Sequence, residues 1–256
     1  MLGGSPTAHH VKSDETAIAI TESLMDLEGA GVTELASHLG MAKSTIHDHL
    51  ATLEYHGFVV KADGGYRLGL RFLDFGIHAR DSLDIYGVAK SKVKELAEES
   101  KERAWCEVEE NGMGVFICGA VGERTVRTDA RIGLRMPLHC HAGGKAILAS
   151  LPEDQVRSII DRYGLPRRSE HTITDEETLM AHLETVRERG YAVNREESIP
   201  GIHAVSAPIT DTAGTVLGAV SVTGAATRMP ESRIAGEISE MVLAAANEIE
   251  LNLAYA

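Results

Sequence analysis

The chain has 256 residues with 38 Asp and Glu against 25 Lys and Arg, a formal charge of −13, and its length suits two domains of about 100 to 150 residues better than one. No run of about 18 apolar residues occurs, and the opening MLGGSPTAHHVKSDE has no basic segment leading into an apolar one, so a helical membrane span and a secretory signal are excluded and a cytoplasmic protein is expected. Three cysteines, Cys106, Cys118 and Cys140, form an odd set without C-x-x-C spacing, which argues against a disulfide framework or structural zinc and leaves them as packing residues.

In chain order, TAIAITESLMDLE (16–28) places Ala17, Ile20, Leu24 and Leu27 at helical spacing, and Gly29 and Gly31 stop the helix. GVTELASHLGMAKSTIHDHLATLEYHGFVV follows. Thr33 is placed to cap a helix carrying Leu35, Ala36 and Leu39, Gly40 supplies the positive φ of a tight turn, and Lys43 to His56 resume the helix over Ile46, Leu50 and Leu53. Lys43, Ser44, Thr45, His47 and Asp48 remain on its exposed N-terminal half, with Ser44 also placed to cap it. FVVKADGGYRLGL then gives two short strands joined through Asp63-Gly64-Gly65. Helix-turn-helix plus hairpin reads as a winged helix over 13–69, followed by a linker helix over 70–84.

The remainder, 85–256, alternates strand-like runs (AWCEVEE, GVFICGAV, ERTVRTD) with helices near 141–150, 152–163 and 175–190. It closes with strands in YAVNREES, HAVSAPIT and TVLGAVSVTG and a helix from about Glu231 to Leu253. That order predicts an α+β domain with a mainly antiparallel sheet flanked by helices. Within it, HCHAGGKAIL (139–148) fails the G-x-x-x-x-G-K-[ST] phosphate loop, because His139 stands at the first glycine and Ala146 at the hydroxyl position. A metal at His139 and His141 lacks a local third ligand, so no metal site is expected. What remains is a glycine-rich helix start whose free N–H groups suit a small carboxylate, or glycines that serve close helix packing alone.

Taken together, KSTIHDHLATLEYHGFV with YRLG, then MPLHCHAGGKAILA, RGYAVNREESIPGIHAVSAPI and GAVSVTG, resemble the IclR family of transcription regulators from about residue 16 to 253. The resemblance implies a winged helix, a linker helix and a GAF-like domain that binds a small organic acid, with dimers, or dimers of dimers, on palindromic promoter DNA. It implies an effector site at Met136, Ala142, Gly143, Asn194, Ile202, Ala204, Ser221 and Thr223, with Ala142 and Gly143 offering N–H groups. Ser221 and Thr223 alternate on a strand and share a face. Asn194 and Ala204 depart from the family's frequent Asp and Cys, which predicts a carboxylate bulkier than the two- and three-carbon acids.

In the winged-helix arrangement Lys43, Ser44, Thr45 and His47 reach base edges and Arg67 contacts phosphate. Residues 1–84 nevertheless hold six Lys or Arg against twelve Asp or Glu, so phosphate attraction must be local. An effector-controlled regulator of a catabolic operon is therefore expected, with no enzymatic activity and no cofactor. Two alternatives are a DNA-binding protein whose second domain is a ligand-free dimerisation scaffold, and a sensor or enzyme using Cys140 with His139 or His141, or Glu196 and Glu197. Adjacent glutamates on a strand face opposite ways, which weakens the last.

Overall fold

The computed structural model describes residues 10–126 and 128–255, and its chain forms two compact units, one up to Ala79 and one from Arg80. The first holds helices α1 (Lys12–Asp26), α2 (Val32–Leu39) and α3 (Lys43–Tyr55) and an antiparallel hairpin of β1 (Val59–Ala62) and β2 (Gly65–Leu68). Ile20, Leu24, Leu35, Ala36, Ile46, Leu50 and Val59 close its core. α1 starts four residues before the predicted position, because Asp14 and Glu15 suit the positive end of the helix dipole. Thr16 and Ser23 are tolerated in its buried face because each hydroxyl donates to the carbonyl four residues back, at 2.9 and 2.8 Å.

Gly40 sits at φ +64° and its N–H closes α2 on Ala36 O, the left-handed cap that the turn requires. The two hydroxyl caps are corrected. Gly31 precedes α2 and Ala42 precedes α3, neither with a side-chain bond, so Thr33 and Ser44 lie one residue inside their helices. In the wing, Gly64 turns at φ +88°, whereas Gly65 has a different reason to be glycine. Tyr66 exchanges both backbone bonds with Ala30, at 3.0 and 2.9 Å, and a Cβ on Gly65 would stand 2.4 Å from Ala30 O.

Helix α4 (Arg71–Asp81) has no buried residue. Its start is held by Phe58, whose ring lies 4.9 Å from Phe72 and 5.5 Å from Phe75. The unit from Arg80 contains helix α5 (Asp84–Ser100) and strands β3 (Arg103–Glu110), β4 (Met113–Val121) and β5 (Arg135–Pro137), then helices α6 (Ala142–Ser150), α7 (Glu153–Tyr163) and α8 (Glu176–Arg189). Strands β6 (Ala192–Arg195), β7 (Ile202–Thr210) and β8 (Val216–Ala225) complete the sheet. A short helix α9 (Glu231–Arg233) runs through a π-helical turn (Ile234–Ile238) into α10 (Ser239–Ala254).

The strands form one six-stranded antiparallel sheet of order β5-β4-β3-β8-β7-β6. α5 and α10 cover one face over Val205, Val220 and Val222. α6 and α8 lie over the other through Ile147, Leu148, Leu179 and Leu183, which gives the α+β layering. One strand expectation fails. In ERTVRTD, Arg127 lies outside the described residues and the others form no strand. Gly122 N–H and Arg124 N–H bond Glu102 O and Lys101 O at 2.9 and 2.8 Å, which turns the chain out of the sheet, and Arg135–Pro137 supplies the edge strand instead. Among the described residues no helix is long and apolar enough to cross a membrane.

Candidate functional site

The first unit carries the residues expected to read DNA. Ile46 and Leu50 are fully buried on α3, so helical geometry turns Lys43, Ser44, Thr45 and His47 outward, and all four are exposed. Arg67 is exposed on β2. Two acidic residues temper the surface: Asp48 Oδ1 lies 3.6 Å from His47 Nδ1, and Glu54 holds Lys61 at 3.1 Å. Lys43 and Arg67 are thus the fixed cations of the predicted set.

In the second unit, all eight residues expected around an effector line one cavity of about 60 Å³, between the sheet and the start of α6. Period-2 alternation puts them there: Ser221 and Thr223 face the cavity while Val220 and Val222 enter the opposite core. The rings of Trp105 and Phe116, tilted by 56° with centroids 5.1 Å apart, form an aromatic wall, with Met136, Ile199 and Ile202 as further apolar lining. Among the described residues, the hydroxyls of Ser221 and Thr223 form no hydrogen bond within the chain. Asn194 acts differently. Its Oδ1 accepts from Glu197 N–H at 2.8 Å and its Nδ2 donates to Ser198 Oγ at 2.9 Å, so it shapes the loop that brings Ser198 to the cavity.

Sequence reasoning missed Trp105, Glu107, Phe116, Thr128, Ala130, Ser198 and Ile199 as wall residues, and gave His141 no wall position. Trp105 and Glu107 were within reach, since the alternation of AWCEVEE puts them on one face. The glycines of HCHAGGKAIL serve packing as well as the cavity. α6 begins at Ala142, so Ala142, Gly143 and Gly144 form its first turn. A Cβ on Gly144 would stand 2.2 Å from Leu138 O, and one on Gly143 only 1.6 Å from Glu107 Oε1.

His139 and His141 do not converge: His139 Nε2 is 3.1 Å from Pro166 O, while His141 Nδ1 is 3.1 Å from Pro137 O and its Nε2 is 2.6 Å from Glu107 Oε2. Burial opposes charge on both rings. It prevails at His139, whose pKa falls, whereas the Glu107 carboxylate reverses it at His141 and raises that pKa to about 10. Cys140 Sγ donates to Pro137 O at 3.2 Å. Glu197 grips the buried Lys145 at 2.6 and 2.5 Å, and Glu196 accepts from Gly201 N–H at 2.7 Å.

Residues 17–63 match the IclR helix-turn-helix domain, and residues 77–251 match the bacterial transcriptional regulator IclR C-terminal domain. The chain is 36% identical over 241 residues to the probable HTH-type transcriptional regulator ArcR of Halobacterium salinarum, covering 93% of this chain and 92% of that protein. It is 30% identical over 247 residues to the HTH-type transcriptional regulator KdgR of Escherichia coli, at 96% and 94% coverage. The crystal structure of the Thermotoga maritima IclR superposes with a TM-score of 0.78 at 29% identity, covering 96% of this chain and all (100%) of that one. An IclR homologue from Microbacterium hydrocarbonoxydans, complexed with 4-hydroxybenzoate, shares the fold at a TM-score of 0.79 and 20% identity, over 96% and 100% of the two chains. These relatives are regulators, not enzymes, which removes the catalytic reading of Cys140 and of Glu196 with Glu197. The chain belongs to the IclR family of helix-turn-helix transcriptional regulators.

Proposed function

We propose that a small organic acid held in the Met136–Thr223 cavity controls the binding of this regulator to palindromic promoter DNA, ahead of a catabolic operon. The carrying observation is that Met136, Ala142, Gly143, Asn194, Ile202, Ala204, Ser221 and Thr223, drawn from β5, α6, β6, β7 and β8, all line one cavity. Its walls mix apolar side chains (Trp105, Phe116, Met136, Ile199 and Ile202) with a few polar ones, and the hydroxyls of Ser221 and Thr223 are uncommitted, the composition of a small-molecule site rather than of a packed core. Ala204 and Ala130 keep the walls short. That supports an acid longer than three carbons.

The DNA-contacting set is Lys43, Ser44, Thr45, His47 and Arg67, acting from two copies of the chain. α4 exposes Leu73, Phe75 and Ile77 at 57%, 53% and 40%, apolar surface suited to a homodimer, which can pair again into a tetramer. Genome-wide occupancy of the tagged protein, mapped with and without candidate carbon sources, tests the reading. Discrete peaks upstream of a catabolic operon, moved by one carbon source, are expected. Ser221→Ala with Thr223→Ala keeps the peaks and loses the response. If the double variant responds as the native protein does, these hydroxyls do not hold the effector; if peaks form but no carbon source moves them, the second unit is a ligand-free scaffold; and if no sequence-specific peaks form, the DNA reading itself fails.

A further inference from the structure

Glu107 is an acidic side chain in a cavity expected to receive an acid. It lies on β3 beside a register slip between Cys106 and Glu107, where β4 carries one residue more than β3, while β3 stays in register with β8 through Glu107. The residue is 1% exposed. Its Oε2 is taken by His141 Nε2 at 2.6 Å. His141 Nδ1 faces the carbonyl of Pro137, which only accepts, so the ring donates on both sides and has no further valence to offer.

Glu107 Oε1 is different: it is shielded from solvent and has no hydrogen-bond partner among the described residues. It rests against Gly143, itself a wall residue, where a Cβ would stand 1.6 Å away. Glu107, His141 and Gly143 therefore form one set, since any side chain at 143 would evict the carboxylate. The first turn of α6, expected to receive the effector's carboxylate, is already faced by this one.

An unpaired buried carboxylate oxygen is costly. A ligand bringing an N–H or O–H to it removes that cost, whereas a second carboxylate beside it adds like-charge repulsion. We infer that the effector carries a hydrogen-bond donor accepted by Glu107 Oε1, at the end of the molecule remote from its acid group, which lies toward the hydroxyls of Ser221 and Thr223. This rests on the cavity being the effector site. Glu107 pairs with Ala219, Trp105 with Ser221 and Arg103 with Thr223, so the two ends are two to four residues apart, about 7 to 13 Å along the strand. That spacing selects a terminally substituted acid over a 2-substituted one.

The test uses matched acids on the full chain: pentanoate, 5-hydroxypentanoate and 5-aminopentanoate, their four- and six-carbon counterparts, and 2-hydroxy- and 2-aminopentanoate, followed by calorimetry and thermal shift. A terminal donor is expected to tighten binding roughly tenfold or more over the plain acid of equal length, because a site built to bond a polar group rejects its absence. The hydroxyl and amino members identify which donor is preferred. In Glu107→Gln the preference disappears. If that variant does not fold, the comparison within the native protein still decides. Equal affinity for plain and donor-bearing acids overturns the inference and leaves the cavity reading standing, and a gain only with the 2-substituted acids overturns the placement of the donor. Absence of binding by any of these acids overturns the cavity reading and this inference with it.

Discussion

Lys145 shows how one residue gains meaning only from its partners. In GGKAIL it looks like the lysine of a phosphate loop, yet it is fully buried (0% exposed) and donates to Val193 O at 2.8 Å and to both Glu197 oxygens. Burial pushes its ammonium pKa down and Glu197 opposes that fall. Glu197 O in turn accepts from Thr172 Oγ1 at 2.7 Å, so the lysine fixes the loop that carries Ser198 to the cavity. Lys145→Met strands the carboxylate of Glu197, and urea unfolding should show a loss of about 3 to 5 kcal/mol. His141 gives a pH signature. Its folded pKa of about 10 stands above the unfolded value of about 6.5, so its stabilisation is complete below pH ~6.5 and is lost as pH rises toward ~10. The melting temperature of the native protein should fall across that window, and His141→Asn should flatten the fall. Neither partnership was legible in the sequence: Lys145 and Glu197, like Glu107 and His141, meet only after strands far apart in the chain are paired.

At the scale of elements the sequence is more readable, because helices and buried strands announce themselves by spacing. The winged unit followed from Ile46 and Leu50 at one turn's separation and from Gly40 between two helices, and β3, β4, β7 and β8 from their strand-like runs. The misread element is ERTVRTD, whose β-branched residues suit a strand while the turn at Gly122 spends its N–H on Glu102 O. Such a loss depends on tertiary contact and leaves no local mark. The same contact logic governs the wing. Gly65→Ala should lower stability by about 1 to 3 kcal/mol, because the new methyl must force Ala30 O aside from 2.4 Å, and Gly64→Ala should cost nearer 1 kcal/mol from its positive φ alone. Thermal melts of the two variants separate these causes, since only the first also releases the Ala30–Tyr66 bridge, readable as faster amide exchange at Tyr66.

For the molecule as a whole, charge is the unresolved tension: it binds DNA while carrying a net −13. Residues 1–84, with six Lys or Arg and twelve Asp or Glu, contribute −6 of this. Each phosphate neutralised adds about −0.9 to the slope of log affinity against log salt. If both Lys43 and Arg67 of each chain of the proposed dimer meet phosphate, the slope should be only about −3.6 on that rule, shallow for a specific regulator. Lys43→Ala should reduce the slope by about 1 per substituted contact and weaken all sequences alike if it meets phosphate, or relax one base position if it meets a base edge. Fluorescence anisotropy of an operator fragment across a KCl series measures both. A slope near the shallow value would mean that base contacts and groove shape carry recognition, which lets the protein keep its operator in concentrated salt. A slope near −10 would require cations beyond Lys43 and Arg67, and would extend the DNA surface beyond the first turn of α3 and the wing.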